Sequence, residues 1–388
     1  MKKLVLILIL MFFLPFPVFA EETAENNNYQ MIDEYTQIYG DSLNRGTEEL
    51  QDTDVDELIP GFDAAEMMRD VAKGENTFSV SGILDKGLSL LAGEIKTTLK
   101  ILVFIPVVAV LSTYLTNIQS SFSNHGTANT AFYVCYLIIA GILAALFLQI
   151  VDCGKALVGN ISVFMRVMVP VLLAAMMSSG AITTATTFEV ILLGIIEIAQ
   201  WLVENFFIPL VMMTAALNMV NNLSESMNAQ KLVQFMNKTV KWGIGIVMTL
   251  FVGVMGLQGV ASGSADVLAV RLTKFATSNL VPMVGGALAE TVETVMNCST
   301  VIKNSLGVTG IVIIVLIAAV PVIKVAACLI LFRLCAALIQ PISDNRIVKC
   351  MSELADTVSC VFGLMMAVTV MFIIVLTIVI NVGSHGAL

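Results

Sequence analysis

The sequence predicts an all-α polytopic membrane protein: about six transmembrane helices, two re-entrant or interfacial hairpins, a tandem internal repeat, and a short acidic extracytoplasmic segment at the N-terminus. Three observations carry this. The 388 residues are 57% hydrophobic and 13% charged, with mean hydropathy +0.91, whereas a soluble protein is about one quarter charged. Apolar runs of about the twenty residues needed to cross a hydrocarbon core recur along the chain. The charge is also partitioned. Between Glu21 and Val80, sixteen acidic and three basic residues give −13, and the remainder of a chain of net charge −9 is therefore +4.

Residues 1–20 read as a secretory signal peptide. Lys2-Lys3 precede an apolar run from Leu4 to Phe13, and Val18-Phe19-Ala20 places small residues where a signal peptidase cuts. An uncleaved first span is the alternative, and either way Glu21 onward is translocated. Residues 21–82 are acidic and poor in aromatics, a composition that cannot bury a large core; short helices are expected at Tyr29–Tyr39 and Ala64–Ala72. From residue 83 to 100 the pattern changes. Leu84, Leu88, Leu91, Ile95 and Leu99 recur at helical spacing among charged residues, which predicts an amphipathic interfacial helix leading into the first span.

The polytopic part is expected over 101–382, with spans at Ile101–Thr116, Ala131–Val151, Phe188–Val220, Trp242–Val260, Gly310–Phe332 and Val358–Ile380. Two further pieces, Ile161–Met177 and Phe275–Leu288, are short or polar for a crossing. They are expected to be re-entrant or interfacial hairpins, broken at Pro170 and Gly180 in the first case and at Pro282, Gly285 and Gly286 in the second. With the N-terminus outside, six crossings put Lys231, Lys238 and Lys241, and then Arg346 and Lys349, in the cytoplasm, as the excess of basic residues in cytoplasmic loops requires. An eight-span arrangement, with Ile161–Met177 crossing and Phe188–Val220 split at Glu204-Asn205, is the runner-up.

The two hairpins occupy equivalent places in a repeat. Sliding the chain by 112 residues lays Val169-Pro170 on Val281-Pro282 and Ile208-Pro209 on Val320-Pro321. A few residues of insertion later, Lys231–Met236 lies on Arg346–Met351. The preserved order predicts a tandem duplication, with copies at about 161–260 and 272–382.

Within Phe188–Val220, Glu189, Glu197 and Glu204 are spaced eight and seven apart. At about 100° per residue they share one stripe with Gln200. A carboxylate at the bilayer centre costs about 2.5–3.5 kcal/mol on insertion scales, so this stripe is expected to face protein or a water-filled cavity, with Arg166 or Lys324 as its counter-charge. One reading is a polar pathway or cation site; the other is a structural pairing of Glu197 alone. The matching positions in the second copy are Val301, Thr309 and Leu316, so the repeat does not impose the stripe.

Catalytic material is thin. Only His125 and His385 are present, and the seven cysteines (135, 153, 298, 328, 335, 350, 360) contain no C-x-x-C pair and none in the acidic segment. Gly154-Lys155 lacks the flanking residues of a phosphate-binding loop. The expectation is a protein that is not an enzyme and uses no cofactor or metal.

Several landmarks together resemble the stage III sporulation protein AE family of endospore-forming bacteria. They are Ile59-Pro-Gly-Phe-Asp63, Gly74-Glu75, the amphipathic lead-in Ile83–Lys100, and Phe164-Met-Arg-Val-Met-Val-Pro170 followed by Gly180 and threonine-rich residues. The resemblance covers essentially the whole chain through diffuse motifs. It implies a polytopic subunit of the channel joining mother cell and forespore, in the mother-cell-derived outer forespore membrane, with the N-terminal segment in the intermembrane space. Its implied partners are the other membrane and ring-forming subunits of that complex and its cytoplasmic ATPase, besides the lipid bilayer, with no nucleic acid. It carries over no catalytic residues. The alternative from another class is a stand-alone secondary transporter or permease, because repeated helices with proline breaks and paired re-entrant segments are how many transporters build a midplane site.

Overall fold

The computed structural model describes residues 26–48, 63–74, 89–90, 92–96, 98–100, 102–120, 125–223, 229–280 and 285–381. Among these, the elements in order are α1 (Asn26–Glu48), α2 (Ala64–Lys73), α3 (Phe104–Ser120), α4 (His125–Ser178), α5 (Ile182–Leu202), a π-turn (Val203–Phe207), α6 (Ile208–Leu223), α7 (Gln230–Leu280), α8 (Gly285–Ile339) and α9 (Asn345–Asn381). Among the described residues, six helical stretches are long and apolar enough to cross a membrane: Ala92–Tyr114, Phe132–Ser178, Ile182–Leu223, Gln230–Gln258, Thr294–Ile339 and Asn345–Asn381. Each contains most or all of one expected span. Three of the helices are more than twice as long as a bilayer core is thick. At about 1.5 Å per residue, α4 with 54 residues, α7 with 51 and α8 with 55 run about 80 Å, against a hydrocarbon core of about 30 Å.

The structure corrects the first hairpin. Ile161–Met177 does not turn back at Val169-Pro170; it is the last part of α4, which passes through Pro170 unbroken. Proline removes one backbone donor and crowds the carbonyl four residues earlier, but here its ring lies on the exposed face while Met168, Val169 and Leu172 on either side are fully buried. The turn comes instead at Gly180, which has φ 89°. Gly180 N–H donates to the Met177 carbonyl and Ala181 N–H to the Met176 carbonyl, each at 3.1 Å. This is the double bond pattern that closes a helix through a left-handed glycine. Because α4 is continuous and α5, the π-turn and α6 follow one another without a loop, neither change of direction required by the eight-span arrangement occurs.

At the second expected hairpin, Phe275–Leu280 belongs to α7, and Gly285 and Gly286 are the first residues of α8; Pro282 lies outside the described residues. Gln230 opens α7 and Asn345 opens α9, each one residue ahead of the stretches that the repeat aligns.

The core gathers around α9, which contacts α4, α6, α7 and α8, while α8 also packs on α4. The lead-in to the first span is laid along α8. Leu90 packs against Leu316, Ala319 and Val320, and Thr98 Oγ1 lies 3.9 Å from Cys328 Sγ.

The acidic segment is too polar to close a core by itself, yet α1 and α2 fold as a pair by borrowing one. They pack on each other and on α4 and α8, with Leu43, Ala64 and Met68 fully buried in the main cluster. Asp63 caps α2 through the Ala65 and Glu66 amides. Asn44 ties it to α1 by donating Nδ2 to Asp63 Oδ1 (2.9 Å) and accepting from the Ala64 amide (2.8 Å). Arg69 and Lys73 on α2 both reach Asp33 on α1, at 3.0 and 3.3 Å.

Candidate functional site

The polar stripe of the sequence becomes a connected network on the outer face of α5, bridged to α4. Arg166 Nε donates to Glu197 Oε1 at 2.8 Å, and its Nη2 donates to Gln200 Oε1 at 2.7 Å. Gln200 Nε2 in turn donates to Glu204 Oε1 at 2.9 Å. Helical spacing explains the set. Glu197, Gln200 and Glu204 are three and four residues apart, so they stand one above another on a single face, and the α4–α5 hairpin at Gly180 brings Arg166 alongside. Of the two cations offered by the sequence, Arg166 is the one the fold supplies to Glu197. Glu189 stands on the same stripe about two turns earlier, exposed. Counting Arg166 against Glu197 and Glu204 leaves the network one negative charge, to which Glu189 adds a second.

The π-turn next to it has an identifiable cause. Pro209, second in α6, has no N–H for the Asn205 carbonyl and crowds it. The backbone widens by one residue, and the Ile208 N–H donates back to Val203. Glu204, Asn205 and Phe206 are exposed in succession there, and Asn205 Nδ2 bonds the Trp201 carbonyl at 3.0 Å. Single π-turns of this kind recur at functional sites.

What matters chemically is the direction of the stripe. The Glu197 side chain is 63% exposed and that of Arg166 39%, so the network points away from the bundle, not into it. It lies on a helix whose other outward positions include Val190, Ile198 and Trp201. In a bilayer, charges on such a face require protein or water opposite them.

The expected breaks do not join this site as a group. Pro170 lies one turn beyond Arg166 within α4, and Gly180 forms the α4–α5 turn, whereas Gly285 and Gly286 begin α8. Sequence reasoning missed two further polar placements. Lys303 on α8 is fully buried, with Nζ 2.8 Å from the Ile380 carbonyl. Asn218 on α6 is fully buried against α9. The second left a readable signal: Asn218, Asn221 and Asn222 sit at the end of an otherwise apolar run, where asparagine is costly without a partner.

Comparison with known proteins bears on the same residues. The family described as stage III sporulation protein AE matches residues 62–383, from just before α2 to just after α9. A protein of Bacillus subtilis (strain 168) named stage III sporulation protein AE is 25% identical over 327 residues, covering 84% of this chain and 82% of the relative. No solved structure matches the chain.

Proposed function

Because the chain belongs to the stage III sporulation protein AE family, we propose that it acts as a membrane subunit of a sporulation channel or secretion complex connecting mother cell and forespore. In this reading it lies in the mother-cell-derived outer forespore membrane. The α1–α2 unit and the Gly180 turn lie on the intermembrane side, and the connections after α6 and α8 lie in the mother-cell cytoplasm. Its partners are the other membrane and ring-forming subunits and a cytoplasmic ATPase.

The observation that carries the proposal is the outward direction of the Arg166–Glu197–Gln200–Glu204 network. A protein that worked alone in lipid would gain by turning these groups inward or replacing them with apolar ones. Outward, they gain only if other subunits or a shared aqueous path face them. A stand-alone transporter would instead keep its polar groups inside the bundle.

The test is affinity capture of the full chain from sporulating cells after engulfment, in mild detergent. Stable co-purification of the other channel subunits supports the reading. Recovery of the chain alone, together with solute uptake by vesicles containing only this protein, would overturn it in favour of the transporter.

A further inference from the structure

We propose that the cleft where α8 meets the start of α9 binds the headgroup of a phosphatidylethanolamine molecule of the bilayer, with its phosphate on Arg333 and its ammonium on Asp356. The cleft has a volume of about 290 Å³. Arg333, Ala336, Ala337 and Gln340 line it from α8, and Ser352 and Asp356 from α9. Residues spaced three or four apart share one helical face, so each helix turns a single face to the cleft. Ala336 and Ala337 are too small to fill the space between the polar groups.

The depth of the cleft follows from the apolar runs on either side of it. Arg333 directly follows the run Gly310–Phe332, and Asp356 stands two residues ahead of the run Val358–Ile380. The two charges face each other at 3.6 Å, at the level where hydrocarbon gives way to headgroups. Gln340 and Ser352 lie toward the turn between the helices, about 10 and 6 Å further out at 1.5 Å per residue. The headgroup layer on each side of a bilayer is about 5–8 Å thick, so the cleft spans it.

The chemistry of the cleft is that of a zwitterion. One cation and one anion line it, and their side chains are 48% and 66% exposed. Their separation exceeds the 2.7–2.9 Å of a charge-assisted hydrogen bond, so donors of the guanidinium and acceptors of the carboxylate remain open to a ligand. A guanidinium takes a phosphate in a two-pronged fashion, and a carboxylate accepts from a primary ammonium. A purely anionic headgroup would meet Asp356 as a repulsion. A choline headgroup has the right charges but no N–H to donate.

The two faces also continue into the membrane. By helical spacing they carry Ala326, Leu329 and Ile330 on α8, and Ser359, Gly363 and Ala367 on α9. Ile330 is exposed and the others are half-buried, and a Cβ at Gly363 would meet nothing. A shallow, largely apolar seam running inward from a polar cleft suits a lipid better than a water-soluble ligand, which needs no seam. The rival account is a surface ion pair that binds nothing. The site is separate from the stripe on α5 and stands whether or not that stripe meets other subunits.

The test is thermal unfolding of the purified full chain in detergent micelles doped with phosphatidylethanolamine, phosphatidylglycerol or phosphatidylcholine of the same acyl chains. A ligand that binds only the folded state raises the unfolding temperature saturably, and phosphatidylethanolamine should do so at the lowest concentration of the three. Arg333→Gln should weaken its apparent affinity about tenfold or more, as expected for losing a hydrogen bond to a charged group. Asp356→Asn should remove the preference for the ethanolamine over the glycerol headgroup. Both side chains are substantially exposed, so neither change should prevent folding. Soluble glycerophosphoethanolamine, which has the headgroup without the chains, should act only at far higher concentration. Equal effects of the three lipids, or a preference untouched by both variants, would reduce the cleft to a surface ion pair. Glycerophosphoethanolamine as effective as the lipid would make the ligand a solute. Each of these results overturns the proposal.

Discussion

Lys303 Nζ donates a 2.8 Å hydrogen bond to the Ile380 carbonyl from a side chain with no exposed surface. Ile380 is the penultimate residue of α9, where the helix leaves carbonyls without intrahelical donors and its dipole favours a cation. The buried charge on α8 therefore closes the end of the central helix. Lys303→Met keeps most of the stem and deletes the donor. It is expected to cost about 1.5–3 kcal/mol, the range for a hydrogen bond to a charged group, seen as a lower unfolding temperature in detergent. Lys303→Glu, which sets a negative charge against the carbonyl, is expected to prevent accumulation of the protein. An unchanged unfolding temperature in Lys303→Met would show that the helix end is satisfied without it.

One turn further along α8, Gly307 receives the Ile380 side chain so closely that a Cβ would overlap Ile380 Cγ1 and Cδ1. Gly307→Ala is expected to destabilise by about 1–3 kcal/mol, the usual range for overpacking, despite alanine's better helix propensity. Ile380→Ala in the same chain should recover part of the loss, which a double-mutant cycle would read as coupling between neighbours. Gly159→Ala is the control, because a Cβ there meets nothing. Equal effects at Gly307 and Gly159 would contradict the close approach.

The spans were legible because length and apolarity alone set them, and every expected span falls largely within an apolar helix. The Pro170 hairpin was not. A local rule reads proline as a stop, but in a long helix flanked by buried Val169 and Leu172, packing outweighs one lost backbone bond. The glutamate stripe was legible as a set of residues, through its helical spacing, yet not in its direction, because periodicity says which residues share a face and not what that face meets. Lys303 was read past for a related reason. In a sequence it resembles a residue at a polar helix end, and only the packing of α8 on α9 turns it inward.

Asp63 offers a pH dependence outside the spans. Its carboxyl is held below the ordinary value of 3.8, chiefly by the Asn44 side chain and also by the Ala65 and Glu66 amides, with burial opposing them. A carboxylate whose folded value is depressed contributes stability above its unfolded value and loses it as pH falls through the folded one. Docking of α2 should therefore hold at neutral pH and weaken below about pH 4. Asp63→Ala should remove about 0.5–2 kcal/mol, the usual cost of losing such a cap, together with that acid dependence. Hydrogen exchange at the Ala65 and Glu66 amides is the measurement, and equal protection in the variant would remove the cap from the account.

Orientation is tested at the two described turns. Ser178→Cys next to Gly180 and Gln340→Cys after α8 both place a thiol at an exposed position, whereas five of the seven native cysteines are buried. In protoplasts of vegetative cells made to produce the chain, where it would lie in the cell membrane with the same orientation, a membrane-impermeant maleimide should label Ser178→Cys before lysis and Gln340→Cys only after it, relative to a cysteine-free background. The reverse pattern would invert the arrangement and place Lys231, Lys238 and Lys241 outside, against the usual bias of basic residues.

The remaining prediction concerns Glu197 and Arg166. Glu197→Gln deletes one charge while the new amide oxygen can still accept from Arg166, which keeps its second bond to Gln200 Oε1. Both side chains are substantially exposed. If the stripe faced water alone and did nothing, the pair would contribute about 0.2–1 kcal/mol, and neither abundance nor development would change. If the stripe meets other subunits or lines an aqueous path, the charge itself is the working part. Glu197→Gln should then reach the membrane at normal level and still block late forespore development, with co-purification of partners reduced in step. Arg166→Lys should give an intermediate defect, because an ammonium cannot reproduce the two-pronged bond to Glu197 and Gln200. Glu189→Gln, outside the hydrogen-bonded network, should be milder than either. Normal spore formation by Glu197→Gln at normal abundance would remove the stripe from the function, since the change leaves the network's shape in place and takes only its charge.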